Sequence, residues 1–277
     1  MSVSTSEDQR RQNESEFHDK WASEIDPAGT LVDEAFTAAT AIENKYVLEQ
    51  FGDVRGKKIL DYGCGSAEGG VYLAKQGAKV VGIDVSVGML EAAQRLAAHH
   101  GVTIETRPVT GDAIPAADNE FDLIYGNGVL HHVTLDVAMP ELARILKPGG
   151  KGCFIEPLPY NPVINAYRKI AKEVRTVDEK PLTFGDMDRF TRSFGQVSHK
   201  EFWLTTLSVF LKFYLLDRVN PNKERYWKKI YTDASKLESF FGPLNRLDEK
   251  LLDLLPPLRH LCWNSVIVVA EPRKLAA

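Results

Sequence analysis

The stretch "DYGCGSAEG" sets Asp61 just before three closely spaced glycines, Gly63, Gly65 and Gly69. Glycines between a strand and a helix let the backbone approach a ligand closely, and the helix start offers unpaired N–H groups. Two further acids stand where a nucleoside would need them. Asp84 ends the next strand pattern, roughly twenty residues on, the interval at which an acid meets ribose hydroxyls. "GDAIP" brings Asp112 and Ala113 to the same edge after a third strand. A dinucleotide fits this set poorly, because Asp61 in the turn would repel an anionic pyrophosphate. A ligand with an ammonium and a sulfonium in place of phosphates would welcome that carboxylate, and S-adenosylmethionine is such a ligand.

Other residues could do chemistry at the same edge. His131 and His132 follow Asn127, where one could act as a general base or orient an acceptor, or the pair could cap the following helix. Glu156 and Tyr160 lie just past a fifth strand and are candidates for contacting an acceptor. In "FHDKWA", Phe17 and Trp21 are four apart and share one helix face, which suits core packing; the stretch also resembles the aromatic-rich lead-in of many small-molecule methyltransferases, which implies a segment able to fold over the cofactor. Cys64 has no partner base near it in sequence and reads as a small buried filler. His99 and His100 end a helix, where a cation is favoured electrostatically. No charge-relay triad and no metal cluster stands out, so the metal expectation is none.

These residues need a scaffold, and the spacing of apolar residues supplies it. From Lys57, short buried strands ("KKILDYG", "AKVVGID", "VTIETRPV", "FDLIYGN", "KGCFIEP") alternate with amphipathic helices ("AEGGVYLAKQG", "VGMLEAAQRLAAHHG", "LDVAMPELARILKPGG"). Such alternation makes right-handed crossovers and an α/β, doubly wound parallel sheet with all strand ends at one ligand edge. Residues 1–15 are expected to be a disordered tail and 16–52 a helical lid, with Phe17 to Gln50 helical throughout. The cofactor-binding core spans 53–156, followed by a cap insertion at 157–183 and a core helix and strand at 184–206. A helical cap at 207–258 and a final strand within 259–277 complete the division.

The 277 residues carry a net charge of −4 and three scattered cysteines. That balance offers nothing to nucleic acid, and the odd, unpaired cysteines suit a reducing cytoplasm. The most apolar run, "LSVFLKFYLL", contains Lys212 and is too short for stable membrane insertion.

Over Lys57 to Glu156 the sequence resembles the class I S-adenosylmethionine-dependent methyltransferases, of the small-molecule, methyltransferase type 11-like kind. "ILDYGCGSAEG" looks like the family's glycine loop and "VVGIDVSVGMLEAA" like its ribose-binding strand end. "VTGDAIPAADNEFDLIYGNGVLHHV" resembles its adenine-edge and fourth-strand motifs, and "ARILKPGGKGCFIEP" its fifth-strand turn. The resemblance implies a Rossmann-like, mostly parallel seven-stranded sheet with "QVSHKEFWL" and "LCWNSVIVVAE" as a reversed strand pair. It implies that Asp61, Gly63 and Gly65 line the methionyl moiety, with Asn127 contributing. Asp84 would hold the ribose hydroxyls, Val85 and Met89 would pack near adenine, and Asp112 with the Ala113 backbone would meet the adenine edge.

Between the last two strands roughly fifty-five residues replace a short turn, far beyond a hairpin loop. Their many aromatics suggest a lid over a small, partly hydrophobic acceptor, or the lid's own core. Arg168, Lys169, Arg175, Lys228 and Lys229 could receive an anionic group on that acceptor, or form a solvated face. The expected reaction is methyl transfer to an O, N or C nucleophile of a small molecule. The rivals are a non-catalytic S-adenosylmethionine-binding module, a non-methylating enzyme such as a cyclase, and a nicotinamide oxidoreductase. Nothing resembles D/N-P-P-Y/F after the fourth strand, which with the acidic balance argues against DNA or RNA as substrate. The sequence sets no oligomeric state.

Overall fold

Neighbouring residues along the central strands face opposite sides of one sheet, and both sides are buried. In the computed structural model, which describes residues 12, 14–109, 113–170 and 180–274, the strands are β1 (Lys58–Tyr62), β2 (Lys79–Asp84), β3 (Glu105–Pro108), β4 (Phe121–Asn127), β5 (Leu146–Pro157), β6 (Phe194–Phe202) and β7 (Asn264–Pro272). Their order is β3-β2-β1-β4-β5-β7-β6. The first five are parallel, and β7 runs antiparallel to both β5 and β6. Ile59, Val80 and Leu123 pack on one side, against α4 (Glu68–Lys75) and α5 (Val87–His99). Leu60, Val81 and Ile124 pack on the other, against α6 (Leu135–Ile145) and α8 (Met187–Ser193). Burial on both faces explains why these strands read as continuous apolar runs.

The chain leaves β1 for β2 on one side and returns to β4 on the other. The strand order therefore reverses beside β1, where the carboxyl ends of β1 and β4 open a crevice. Asp61 and Asn127 stand at those ends.

The N-terminal segment departs from the continuous helix expected over Phe17 to Gln50. It is broken into α1 (14–22), a 3-10 turn (Pro27–Gly29), α2 (Glu34–Thr37) and α3 (Ile42–Phe51). The breaks coincide with side-chain bonds to backbone groups, two of them near in sequence and one to the cap. Asp26 accepts from Ala28 N ahead of Pro27, Asn44 Nδ2 donates to Ala35 O, and the Thr40 hydroxyl donates to Ile230 O in the cap. Helix α1 begins at residue 14, inside the tail expected to be disordered; residues 1–11 and 13 lie outside the described residues.

After β5 comes α7 (Pro162–Ile170), and between β6 and β7 stand α9 (Ser208–Leu211), α10 (Tyr226–Thr232) and α11 (Ala234–Leu254). Among the described residues no helix is long and apolar enough to cross a membrane.

Candidate active site

A cavity of about 600 Å³ opens over the β1 and β4 ends and runs beneath α1 and the cap. Asp61, Gly63, Gly65, Asp84, Val85, Met89 and Asn127 all line it, as do Phe17, Trp21, His131 and His132. The acids reach it by distinct routes. Asp61 is buried at the end of β1, and its Oδ2 accepts from Gly70 N at 2.9 Å. That N–H lies in the first turn of α4, so the helix start that could hold a phosphate is already occupied by a carboxyl group. Burial, with Glu68 and Asp84 nearby, pushes Asp61 up to about 7 despite the Gly70 bond. A Cβ at position 70 would meet Asp61 Oδ2 at 2.7 Å, a requirement for glycine that motif spacing did not reveal.

Asp84 is half-buried at the end of β2 and fixes the glycine turn. Its Oδ2 accepts from Gly65 N and its Oδ1 from Ser86 N, each at 2.9 Å. Burial raises its pKa, partly offset by those two bonds. Gly63 and Gly65 have φ of +65° and +52°, in the left-handed region that favours glycine. A Cβ on Gly63 would strike Val129, whereas a Cβ on Gly65 would meet nothing within 4 Å. Gly65 is therefore required by its backbone and leaves open space in the cavity wall.

The two histidines are held by two different carboxylates. Glu156 is fully buried beneath the 3-10 turn Leu130–His132, accepting from Val129 N, Leu130 N and His131 N, with His131 Nδ1 at 2.7 Å from its Oε2. It stands behind the cavity wall and positions the turn, so the expected acceptor contact at Glu156 gives way to a buried brace. His132 Nδ1 lies 3.0 Å from Glu14 Oε1, and His18 Nε2 lies 3.4 Å from the other oxygen. Burial alone would raise Glu14, but the two histidines outweigh it and hold the carboxylate well below its ordinary range. Burial lowers His132, leaving it neutral at pH 7 with Nδ1–H donated to Glu14.

Glu14 escaped sequence reasoning, yet it sits three, four and seven residues before Phe17, His18 and Trp21, on one face of α1. The helix is fastened to the core by Asp19, which accepts from the Ser86 hydroxyl at 2.6 Å and Gly88 N at 3.1 Å. From the cap, the Arg225 guanidinium lies 3.8 Å from the centroid of the Trp21 ring, and Trp227 meets the same ring edge-on.

Tyr160 is drawn away from the cavity. It stacks on Phe184 and meets the His260 ring at a tilt, and its hydroxyl accepts from Phe184 N. Ala113 is exposed and outside the wall, where Val109 and Ile114 stand instead. Asp112 lies outside the described residues, as does Arg175. The cap aromatics divide: Phe210, Phe213, Tyr226 and Phe241 are buried core, while Trp227 and Tyr231 line the cavity. Of the basic residues, Lys228 lines the cavity, Lys229 pairs with Glu224 and Asp233, and Arg168 donates to Leu158 O and Asn165.

At the far side, near the ends of β5 and β7, Glu43 enters the cavity from α3. Its Oε1 accepts from Trp203 Nε1 at 2.6 Å and from Asn264 Nδ2 at 2.7 Å. Trp203 is fully buried with φ +68°, a conformation costing a bulky residue about 1–3 kcal/mol. Buried Asp248 of α11 holds the following turn by accepting from the N–H groups of Leu204, Thr205 and Thr206 and from both threonine hydroxyls.

Residues 59–150 match a family described as a methyltransferase domain. The ubiquinone biosynthesis O-methyltransferase of Sinorhizobium fredii is 35% identical over 112 residues, 38% of this chain and 45% of that protein. Over this match the chain spans less than half of that relative's length. The ubiquinone biosynthesis O-methyltransferase of Alkalilimnicola ehrlichii is 29% identical over 192 residues, covering 69% of this chain and 74% of its own. Among solved structures, a chain from the complex between the Haloferax volcanii Trm112 methyltransferase activator and a methyltransferase overlays with a TM-score of 0.58. That overlay, at 15% identity, covers 92% of this chain and 98% of that one, a likeness of fold. Residues 59–150 thus match a methyltransferase domain, and the remaining strands complete its seven-stranded sheet.

Proposed function

We propose that the chain methylates an oxygen, nitrogen or carbon nucleophile of a small, partly hydrophobic metabolite, with S-adenosylmethionine as donor. The observation that carries this reading is a cavity in which the acids at the β1 and β2 ends face an aromatic cap. The cofactor supplies a methyl group already activated on a sulfonium. Asp61 beside Gly63, Gly65 and Asn127 offers a buried carboxyl for an ammonium, which suits a cationic amino-acid group and not a phosphate. Asp84 would take the ribose hydroxyls with the lone pairs its backbone donors leave over. Val85, Met89, Val109 and Ile114 offer an apolar slot for a purine.

The names of the relatives favour oxygen as the methylated atom. His132 is the residue best prepared to take a proton from a hydroxyl. With Nδ1–H committed to Glu14, its Nε2 carries the lone pair, and the carboxylate supports the charge that protonation creates. Phe17, Trp21, Trp227 and Tyr231 exclude water, so donor and acceptor meet in a dry pocket. We place the chain in the cytoplasm, where its three free, buried thiols stay reduced.

Titration calorimetry tests the cofactor: S-adenosylmethionine binds saturably and NAD does not, and equal binding of the two would remove the reading. Imidazole ¹⁵N NMR tests the base. At pH 7 His132 is expected as the Nδ1–H tautomer, and an Nε2–H signal for that ring would eliminate it as a base.

A further inference from the structure

Glu43 lines the cavity wall with one carboxyl oxygen that no other residue meets. Glu43 is 4% exposed. Oε1 takes two donors, the Trp203 indole and the Asn264 amide, and the carboxylate also draws on its own backbone N–H, while Oε2 is buried with no partner in another residue. Buried polar atoms are satisfied in the great majority of cases, and an unpaired one on a residue that lines a cavity calls for a ligand. The surrounding structure holds Glu43 in place: Trp203 keeps a left-handed backbone and donates its indole N–H, and Asp248 pins the turn behind it. Strain held by several independent contacts is a mark of sites that bind.

The charges in the wall narrow what the ligand can be. Among the described residues, Glu14, Glu43, Asp61, Glu68 and Asp84 line the cavity, against Lys228 and three histidines. Two of these acids, Asp61 and Asp84, sit at the cofactor end. Glu43 stands with Tyr231, Trp263 and Asn264 at the β5 and β7 end, where a body of aromatic surface surrounds one polar point.

We infer that Glu43 Oε2 receives a hydrogen-bond donor of the methyl acceptor, which is therefore a small, largely apolar molecule bearing a hydroxyl or a protonated amine there, and no carboxylate or phosphate. This rests on reading the cavity as a joint cofactor and acceptor site. It also replaces the anionic acceptor group that the basic residues of the cap had suggested. Burial raises the Glu43 carboxyl above its ordinary range, and a donor on Oε2 offsets part of that penalty. Glu43 acts here in recognition, two strands away from β4.

The test uses the full chain saturated with S-adenosylhomocysteine and four probes of similar size: catechol, its dimethyl ether, benzylamine and benzoate. Binding is followed by the fluorescence of Trp21, Trp227 and Trp263, which line the cavity. Catechol, benzylamine or both should bind about tenfold more tightly than the ether or benzoate, the scale of one hydrogen bond to a buried acceptor. A preference for catechol alone identifies a hydroxyl, and one for benzylamine alone a cation. Glu43→Gln keeps an oxygen for Trp203 and Asn264 but exchanges the other for an amide donor, and the preference should fall below about threefold. Glu43→Asp, which keeps the charge but shortens the reach, serves if the glutamine variant does not fold. Equal or absent binding of donor and capped probes to the wild type overturns the inference, as does a preference that survives in Glu43→Gln. Failure of S-adenosylhomocysteine to bind at all would instead strike the parent reading.

Discussion

Asp84→Ala is expected to weaken S-adenosylhomocysteine binding by about a hundredfold or more, because two hydrogen bonds to a carboxylate vanish together. The magnitude follows from the place of Asp84 at the end of β2, half-buried, with Gly65 N and Ser86 N already fixing its orientation. A preorganised carboxylate loses little freedom on binding, so most of its interaction appears as affinity. The substitution also frees the glycine turn, and that structural effect must be separated from lost recognition. A ligand lacking both ribose hydroxyls makes the separation. The wild type should lose most of its affinity on going to the dideoxy analogue, whereas Asp84→Ala should bind both ligands alike. If the variant still distinguishes the two ligands as the wild type does, Asp84 shapes the turn without touching the ribose.

How legible this site is in the sequence depends on how local each contact is. The glycine turn and the acids at the ends of β1 and β2 can be read because a strand, a tight turn and a helix start are all encoded within a few residues. Glu43 cannot, since its partners Trp203 and Asn264 are 160 and 221 residues away in sequence. Glu14 lies in a stretch whose composition suggests disorder, and its partner His132 is 118 residues away, met only when α1 docks on the core. Glu156 is legible as an acid at a strand end, but the side it faces is not. It points to the turn that carries His131, a choice set by long-range packing and not by its neighbours in sequence. The long N-terminal helix fails for a different reason: apolar periodicity is present, but Asp26 and Asn44 bond nearby backbone groups, while Thr40 is drawn to the cap at Ile230 O. The reversed pair β6 and β7 comes from the resemblance alone, because periodicity shows a strand but not its direction.

Cofactor affinity should rise with pH between 5.5 and 7, by on the order of tenfold, and Asp61 is the cause. In the ligand-free protein burial holds its carboxyl at about 7, against an ordinary value of 3.8. Below pH 7 the group is largely protonated, and a cationic ligand beside it must drive the proton off in order to gain the charge pair. Calorimetry at pH 6 in buffers of different ionisation enthalpy should therefore register the release of roughly one proton on binding. The same burial acts on stability in the ligand-free state. A carboxyl with a raised folded-state pKa favours folding below 3.8, and that advantage is lost as pH climbs towards about 7. The loss is at most about 4 kcal/mol, since each tenfold change in proton affinity between the folded and unfolded chain is worth about 1.4 kcal/mol. Burial raises Asp84 as well, so the comparison that isolates Asp61 is wild type against Asp61→Asn. Asparagine can still accept from Gly70 N but carries no proton to exchange. Urea midpoints of the variant should change less between pH 4 and 7 than those of the wild type, and its proton release on binding should disappear. Matching slopes and equal proton release would mean that the buried acid at the end of β1 is ionised before the cofactor arrives.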